Sequence, residues 1–142
     1  MFYHFRVHAD KRGGHWAECI ELEGCNAQGD TRDELRFNMV EALELHLSEP
    51  PDSNVVFIEP KKTVKGRNVE LVRVPPTVAF AVRLRQLRKK RRLTQKQAAT
   101  MLDMKNVFSY QKLENPKTAN PELRMPERVK RAFPELRLDE VV

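Results

Sequence analysis

The spacing of apolar side chains changes period at Pro75-Pro76, and this change confines the chain to two unlike parts. Before it, short runs alternate apolar and polar residues, the period of a half-buried strand, around one helical stretch. After it, every apolar run repeats at helical spacing and no strand signal returns. Charge divides in the same place. Residues 1–76 hold 10 Lys+Arg against 13 Asp+Glu, a net of −3, and residues 77–142 hold 16 against 7, a net of +9. A basic half joined to an acidic half points to one part that meets a polyanion and another with a different partner. Two domains are expected, 1–75 and 76–142.

In the first part, Tyr3, Phe5 and Val7 alternate with His4, Arg6 and His8, which predicts a strand. Gly13-Gly14 tolerates positive φ and turns the chain into a second strand over 16–22. Its buried face is open at this point, because Trp16, Ile20 and Leu22 lie on one side and Ala17 and Cys19 on the other. Gly24 breaks that strand, and 25–28 gives a short third one. Thr31-Arg32-Asp33-Glu34 has the form of a capping box, with Thr31 accepting from the Glu34 N–H and the Glu34 carboxylate returning to the Thr31 N–H. Asp30, Asp33 and Glu34 also complement the positive end of the helix dipole. Leu35, Met39, Ala42, Leu43 and Leu47 then form one apolar stripe, predicting a helix over about 32–48 that lies on the sheet. Glu49-Pro50-Pro51-Asp52 ends it. Residues 50–68 read as a loop with a short strand at 55–58, and 69–74 as the last strand. The expected fold class is α+β, a β-β-β-α-β domain followed by an all-α domain of four to five helices.

In the second part, Val78, Ala81, Leu84 and Leu87 predict one helix ending in the basic run 88–92. Thr94 caps a second helix reaching Leu102, a third begins near Asn106 and ends before Pro116, and a fourth covers about 126–133. From Leu84 to Asn115 the order of residues resembles the Cro/phage-repressor helix-turn-helix family, with Leu93-Thr94-Gln95, Ala98-Ala99 and Val107-Phe108-Ser109-Tyr110 as its markers. Ala98 and Ala99 are small enough to let two helices approach. Leu87, Leu93, Leu102, Met104, Val107, Tyr110 and Leu113 fall inward, which leaves Asn106, Phe108, Ser109, Gln111 and Lys112 facing outward. Gln and Asn side chains suit base edges in the major groove, where they bind adenine bidentately. Gln95 and Lys96 open the second helix, where N–H groups, dipole and ammonium meet a phosphate. The resemblance implies that Arg88 and Glu114 pair with each other in a structural role. Two departures stand out. The turn Asp103-Met104-Lys105-Asn106 is one residue longer than the usual pattern, leaving the register of the third helix open by one, and Asn115-Pro116 replaces the common Asn-Gly. Phe108 is expected to touch a thymine methyl or a partner subunit. Members of this class read double-stranded DNA as dimers on half-sites about 34–36 Å apart, so a homodimer or higher homo-oligomer is implied.

The first part resembles the HicB antitoxin family through the run from Trp16 to Cys25, then Gln28-Gly29-Asp30-Thr31, then Glu34, Asn38 and Glu41-Ala42-Leu43. In that family a strand leads to a Gly, a short strand ends at Gly-Asp-Thr, and a helix follows. The resemblance implies a partial ribonuclease H-like fold over 1–75. It also implies an antitoxin that neutralises a small basic HicA-type toxin, an mRNA-cleaving protein, and represses their shared operon through operator DNA. The net −3 of residues 1–76 suits a basic partner. The residues that would touch the toxin carry no motif. The competing reading is a stand-alone transcriptional regulator whose first domain oligomerises or binds a small ligand.

Other classes are disfavoured. Ribonuclease H chemistry needs carboxylates converging on two metal ions, whereas capping and dipole compensation account for Asp30, Asp33 and Glu34, so no catalysis is expected. His4 and His8 share a strand face but stand about 13 Å apart at strand rise, too far for one ion, and with His15 they are expected on the surface. No metal or cofactor is expected. Cys19 and Cys25 have neither CxxC nor zinc spacing and read as ordinary thiols. No apolar run approaches the ~20 residues of a membrane span, and the N-terminus lacks the order of a signal peptide, so a cytoplasmic location is expected.

Overall fold

In the computed structural model, which describes residues 1–119 and 124–141, the alternating segments pair into one antiparallel sheet. Its strands are β1 (Phe2–Ala9), β2 (His15–Cys19), β3 (Asn26–Gly29) and β4 (Val69–Arg73), in the order β3-β2-β1-β4. Gly13 and Gly14, at φ of 97° and 77°, make the first turn as their sequence predicts. The register sets Phe5 opposite Cys19, Val7 opposite Ala17 and Tyr3 opposite Val72. All six are buried, which answers the question left open for β2: Ala17 and Cys19 face the core. Trp16 takes the other face, where its ring stacks on His8 at 4.1 Å.

Helix α1 (Arg32–Leu47) buries Leu35, Met39, Leu43 and Leu47, four of the five stripe residues, and leaves Phe37 and Leu45 exposed. Two observations put its start over the inward face of the sheet. Glu70, which shares that face through its pairing with Phe5, bonds Arg32 and lies 3.6 Å from Arg36. Gly29 also passes so close to the helix that a Cβ there would stand 2.5 Å from the Leu35 nitrogen. The cap differs in one detail from the predicted box. Thr31 Oγ1 accepts the Glu34 N–H at 3.1 Å, but the Glu34 carboxylate reaches the Asp30 N–H at 3.0 Å, one residue earlier than expected.

The chain is thus α+β, and its described residues group into two compact units. One comprises 1–46 and 58–75, the other 47–57 and 76–142. The chain passes from one unit to the other between Pro75 and Pro76, and segment 47–57 groups with the second unit. No strand forms at 55–58. A strand there would need a neighbour's ladder, and the carbonyls of Val55, Phe57 and Ile58 accept from side chains instead.

The second unit contains α2 (Pro76–Lys90), α3 (Gln95–Met101), α4 (Val107–Glu114), α5 (Arg124–Ala132) and α6 (Leu138–Val141). α2 packs against α4 and α6, and α3 against α4. Its sequence suggests a single apolar stripe, yet Val78 to Val82 and Leu84 to Arg88 are all buried, so the helix is covered on more than one side. Two helix ends close without glycine. Arg92 and Asp103 adopt left-handed φ of 56° and 53°, and the next amides, Leu93 and Met104, bond back to the carbonyls of Arg88 and Ala99. Arg91 lies 4.9 Å from the centre of the Phe133 ring and bonds Glu135 and the Ala132 carbonyl, tying the end of α2 to the end of α5.

Candidate nucleic-acid interface

Helix α3 begins at a complete capping box. The Gln97 N–H donates to Thr94 Oγ1 at 3.1 Å and the Thr94 N–H donates to Gln97 Oε1 at 2.8 Å. This fixes the first turn, and with it the directions taken by Gln95 and Lys96. Asn106 caps α4: its Oδ1 accepts the Ser109 N–H at 2.9 Å and the Ser109 hydroxyl at 3.1 Å. Val107 is therefore the first residue of α4, which places the register of that helix.

The residues expected outward divide into three groups. Lys96, Phe108 and Lys112 are exposed, Phe108 by 71%. Asn106 and Ser109 are exposed, but the Asn106 oxygen is already engaged by Ser109, so what remains outward of the Asn106 amide is its donor end. Gln95 and Gln111 are half-buried and bonded to each other, Gln111 Nε2 donating to Gln95 Oε1 at 3.0 Å. Gln95 Nε2 in turn donates to the Pro51 carbonyl at 2.7 Å and to Glu114 Oε2 at 3.2 Å. The two glutamines act as a linked pair. Nothing in the sequence signals that link, because residues 95 and 111 come together only when α3 packs on α4.

Beneath this surface lies a buried charge cluster. Arg88 grips Glu114 with Nε on Oε1 at 2.5 Å and Nη2 on Oε2 at 3.0 Å, and its Nη1 bonds the Leu93 carbonyl at 2.9 Å. Tyr110 donates to Glu114 Oε1 at 2.7 Å, and Arg85 Nε lies 3.7 Å from Glu114 Oε2. The side chain of Glu114 has no exposure, so its charge depends on these partners. Burial opposes the charge on Arg88, but the Glu114 carboxylate outweighs it and raises the guanidinium's pKa. Burial, joined by the Glu114 charge, pushes the Tyr110 phenol well above its ordinary value. The cluster connects α2 to α4 and sets the base on which the outward residues stand. Sequence reading assigned Tyr110 to the core and did not find its hydroxyl contact. It also missed Arg85 and Gln86, whose polar types within an apolar run resemble ordinary helix surface.

In the first unit, His4 is a correction to the expectation of three surface histidines. It is 5% exposed, with Nδ1 2.6 Å from Glu21 Oε1. The Glu21 carboxylate also accepts the backbone N–H of His4 at 3.0 Å and of Lys61 at 3.2 Å. Burial disfavours the Glu21 charge, but the bonds from the His4 ring and from these two amides prevail and hold the carboxyl below its usual range. His8 lies 3.2 Å from Glu18. Among the described residues no three His, Cys, Asp or Glu side chains converge on a point that a metal ion would occupy. Cys19 and Cys25 are free and buried, and no described helix is long and apolar enough to cross a membrane.

No protein-family model matches the chain. Part of it is similar to two curated proteins of Synechocystis sp. The UPF0150 protein ssr1765 is 43% identical over 49 residues, 33% of this chain and 62% of that protein. The UPF0150 protein ssl0738 is 41% identical over 39 residues, 28% of this chain and 54% of that protein. The chain thus spans less than two thirds of the length of each relative.

Proposed function

We propose that this chain is a HicB-type antitoxin that also represses its own operon. In this reading the first unit has a partial ribonuclease H-like fold and neutralises a small basic mRNA-cleaving toxin of the HicA type. The second unit is a helix-turn-helix domain, with α3 and α4 as its two helices, that binds double-stranded operator DNA as a homodimer or higher homo-oligomer. The observation that carries the DNA arm is the meeting of Gln95 with Gln111 beside exposed Lys96 and Lys112, over the buried Arg88–Glu114 pair. Sequence-specific binding combines amides that meet base edges with ammonium groups that meet phosphates, and this set of side chains offers both types. The net +9 of residues 77–142 supplies the field that draws the unit to a polyanion.

The antitoxin arm rests on the HicB-like order of residues 16–43, together with the partial similarity to UPF0150 proteins, a family that includes HicB-like proteins. The net −3 of residues 1–76 complements a basic toxin. Co-expression with the small basic product of a neighbouring reading frame tests this arm, the expected result being a stable complex and relief of growth arrest. Absence of a complex, with operator binding intact, would leave a stand-alone regulator whose first unit oligomerises or holds a small ligand. Fluorescence anisotropy on the DNA upstream of the operon, against a scrambled duplex, tests the DNA arm.

A further inference from the structure

Residues 52–57 have no helix or strand, and neither do Glu49 and Pro50 before them, so the carbonyls of this stretch need partners outside any ladder. They find them on side chains of α2 and α3. Arg85 donates to the carbonyls of Pro50 at 2.7 Å and of Glu49 and Val55 at 3.5 Å. Gln86 donates to that of Phe57 at 2.9 Å, and Gln95 to that of Pro51 at 2.7 Å. Arg85 and Gln86 are 4% and 5% exposed, so their bonds are shielded from water at the donor end.

We infer that segment 49–57 is a strap that positions Gln95 and, through it, decides which edge Gln111 presents to DNA. The inference rests on the DNA-reading role proposed above. An amide side chain has a donor end and an acceptor end. Gln95 sits between two acceptors, the Pro51 carbonyl and Glu114 Oε2, and a flipped amide would set its oxygen against both. Its nitrogen is therefore held toward them, and its oxygen faces Gln111. Gln111 answers with Nε2, which directs its own Oε1 and second N–H away from Gln95. An adjacent acceptor and donor match the N6 amino group and N7 of adenine in the major groove. Without the Pro51 carbonyl only Glu114 would orient Gln95, and Glu114 already serves Arg88 and Tyr110. Arg85 and Gln86 are thus positioning residues. They act on DNA through the strap and do not touch it.

The test uses the full chain and a random-sequence duplex library. Selection on the unmodified protein yields a preferred duplex, and its affinity relative to a random duplex gives a specificity ratio. Arg85→Met frees the carbonyls of Glu49, Pro50 and Val55 and also removes a group facing Glu114, Gln86→Leu frees that of Phe57 alone, and both keep Gln95 and Gln111. The expected result is a ratio reduced about ten-fold, with relaxed preference at the base pair that Gln111→Ala also relaxes and with random-duplex affinity close to that of the unmodified protein. An unchanged ratio in a variant with full helix content overturns the strap, as does a parallel loss on both duplexes. If neither variant folds, hydrogen exchange at the Gln95 Nε2 protons of the unmodified protein decides. Protection of that group supports the strap, and free exchange of both protons overturns it. Selection that enriches no sequence is a separate outcome, which removes the DNA-reading role itself.

Discussion

Arg88 and Glu114, 26 positions apart in the chain, form a two-point ion pair in the interior of the second unit, at 2.5 and 3.0 Å. A fork of this kind fixes orientation as well as distance, so α2 and α4 are held in one relative setting. Glu114 also takes the Tyr110 hydroxyl and faces Arg85, which makes it the member with more partners to strand. Glu114→Leu is expected to cost about 3–5 kcal/mol, the cost of leaving buried guanidinium groups uncompensated. Arg88→Met should cost less, because Arg85 remains near the carboxylate. Urea unfolding of the two variants checks the order, and equal losses would show that Arg85 contributes nothing to holding the charge.

Lys96 and Gln111 should fail differently when truncated. Lys96→Ala is expected to weaken binding about equally on preferred and random duplexes and to flatten the plot of log affinity against log salt by roughly one unit of slope. Gln111→Ala should mainly lower the preference for one base pair. Anisotropy titrations at several salt concentrations separate the two, and equal loss on both duplexes for Gln111→Ala would argue against base reading.

Gly29 is set by close approach and not by backbone conformation. A Cβ at this position would stand 2.5 Å from the Leu35 nitrogen and 2.9 Å from its Cα, both main-chain atoms of α1 that no rotamer change moves. Gly29→Ala should therefore push the helix start from the sheet and destabilise the first unit by about 1–3 kcal/mol. Gly24→Ala is the contrast: nothing lies within 4 Å of its Cβ position, and its cost comes from the positive φ of 83° alone. Thermal unfolding should rank Gly29→Ala as the more damaging of the two.

Glu21 should make the first unit acid-sensitive. Its carboxyl titrates lower in the folded protein than in the unfolded chain, so the unfolded state takes up a proton first as the pH falls. The stabilisation is complete above the ordinary carboxylate value of about 4.3 and is lost as the pH drops through the lower folded value. Glu21→Gln should be less stable than the unmodified protein at neutral pH and should show a shallower fall in acid. Unfolding midpoints measured from pH 7 to pH 2 test this, and parallel curves would exclude Glu21 as the titrating group.

Local signals in the sequence determined much of this chain. The alternation around Phe5, the Gly13-Gly14 turn, the Thr31 and Thr94 caps and the helical stripe from Leu35 to Leu47 depend on neighbours within a few residues, and each appears in the structure close to where it was expected. The candidate interface was legible at the level of residue type, since α3 and α4 place most of the expected outward residues outward. Contacts between distant positions were decided only by tertiary packing. His4 is held in its buried position by a bond to Glu21, whose carboxylate also takes the Lys61 N–H, and Ala17 rather than Trp16 faces inward because of the register with Val7. Segment 49–57, which reads as a polar loop, joins the helical unit because Arg85, Gln86 and Gln95 offer donors to carbonyls that have no ladder. Periodicity records which side of an element is apolar. It does not record which far-off backbone will come to need a hydrogen bond.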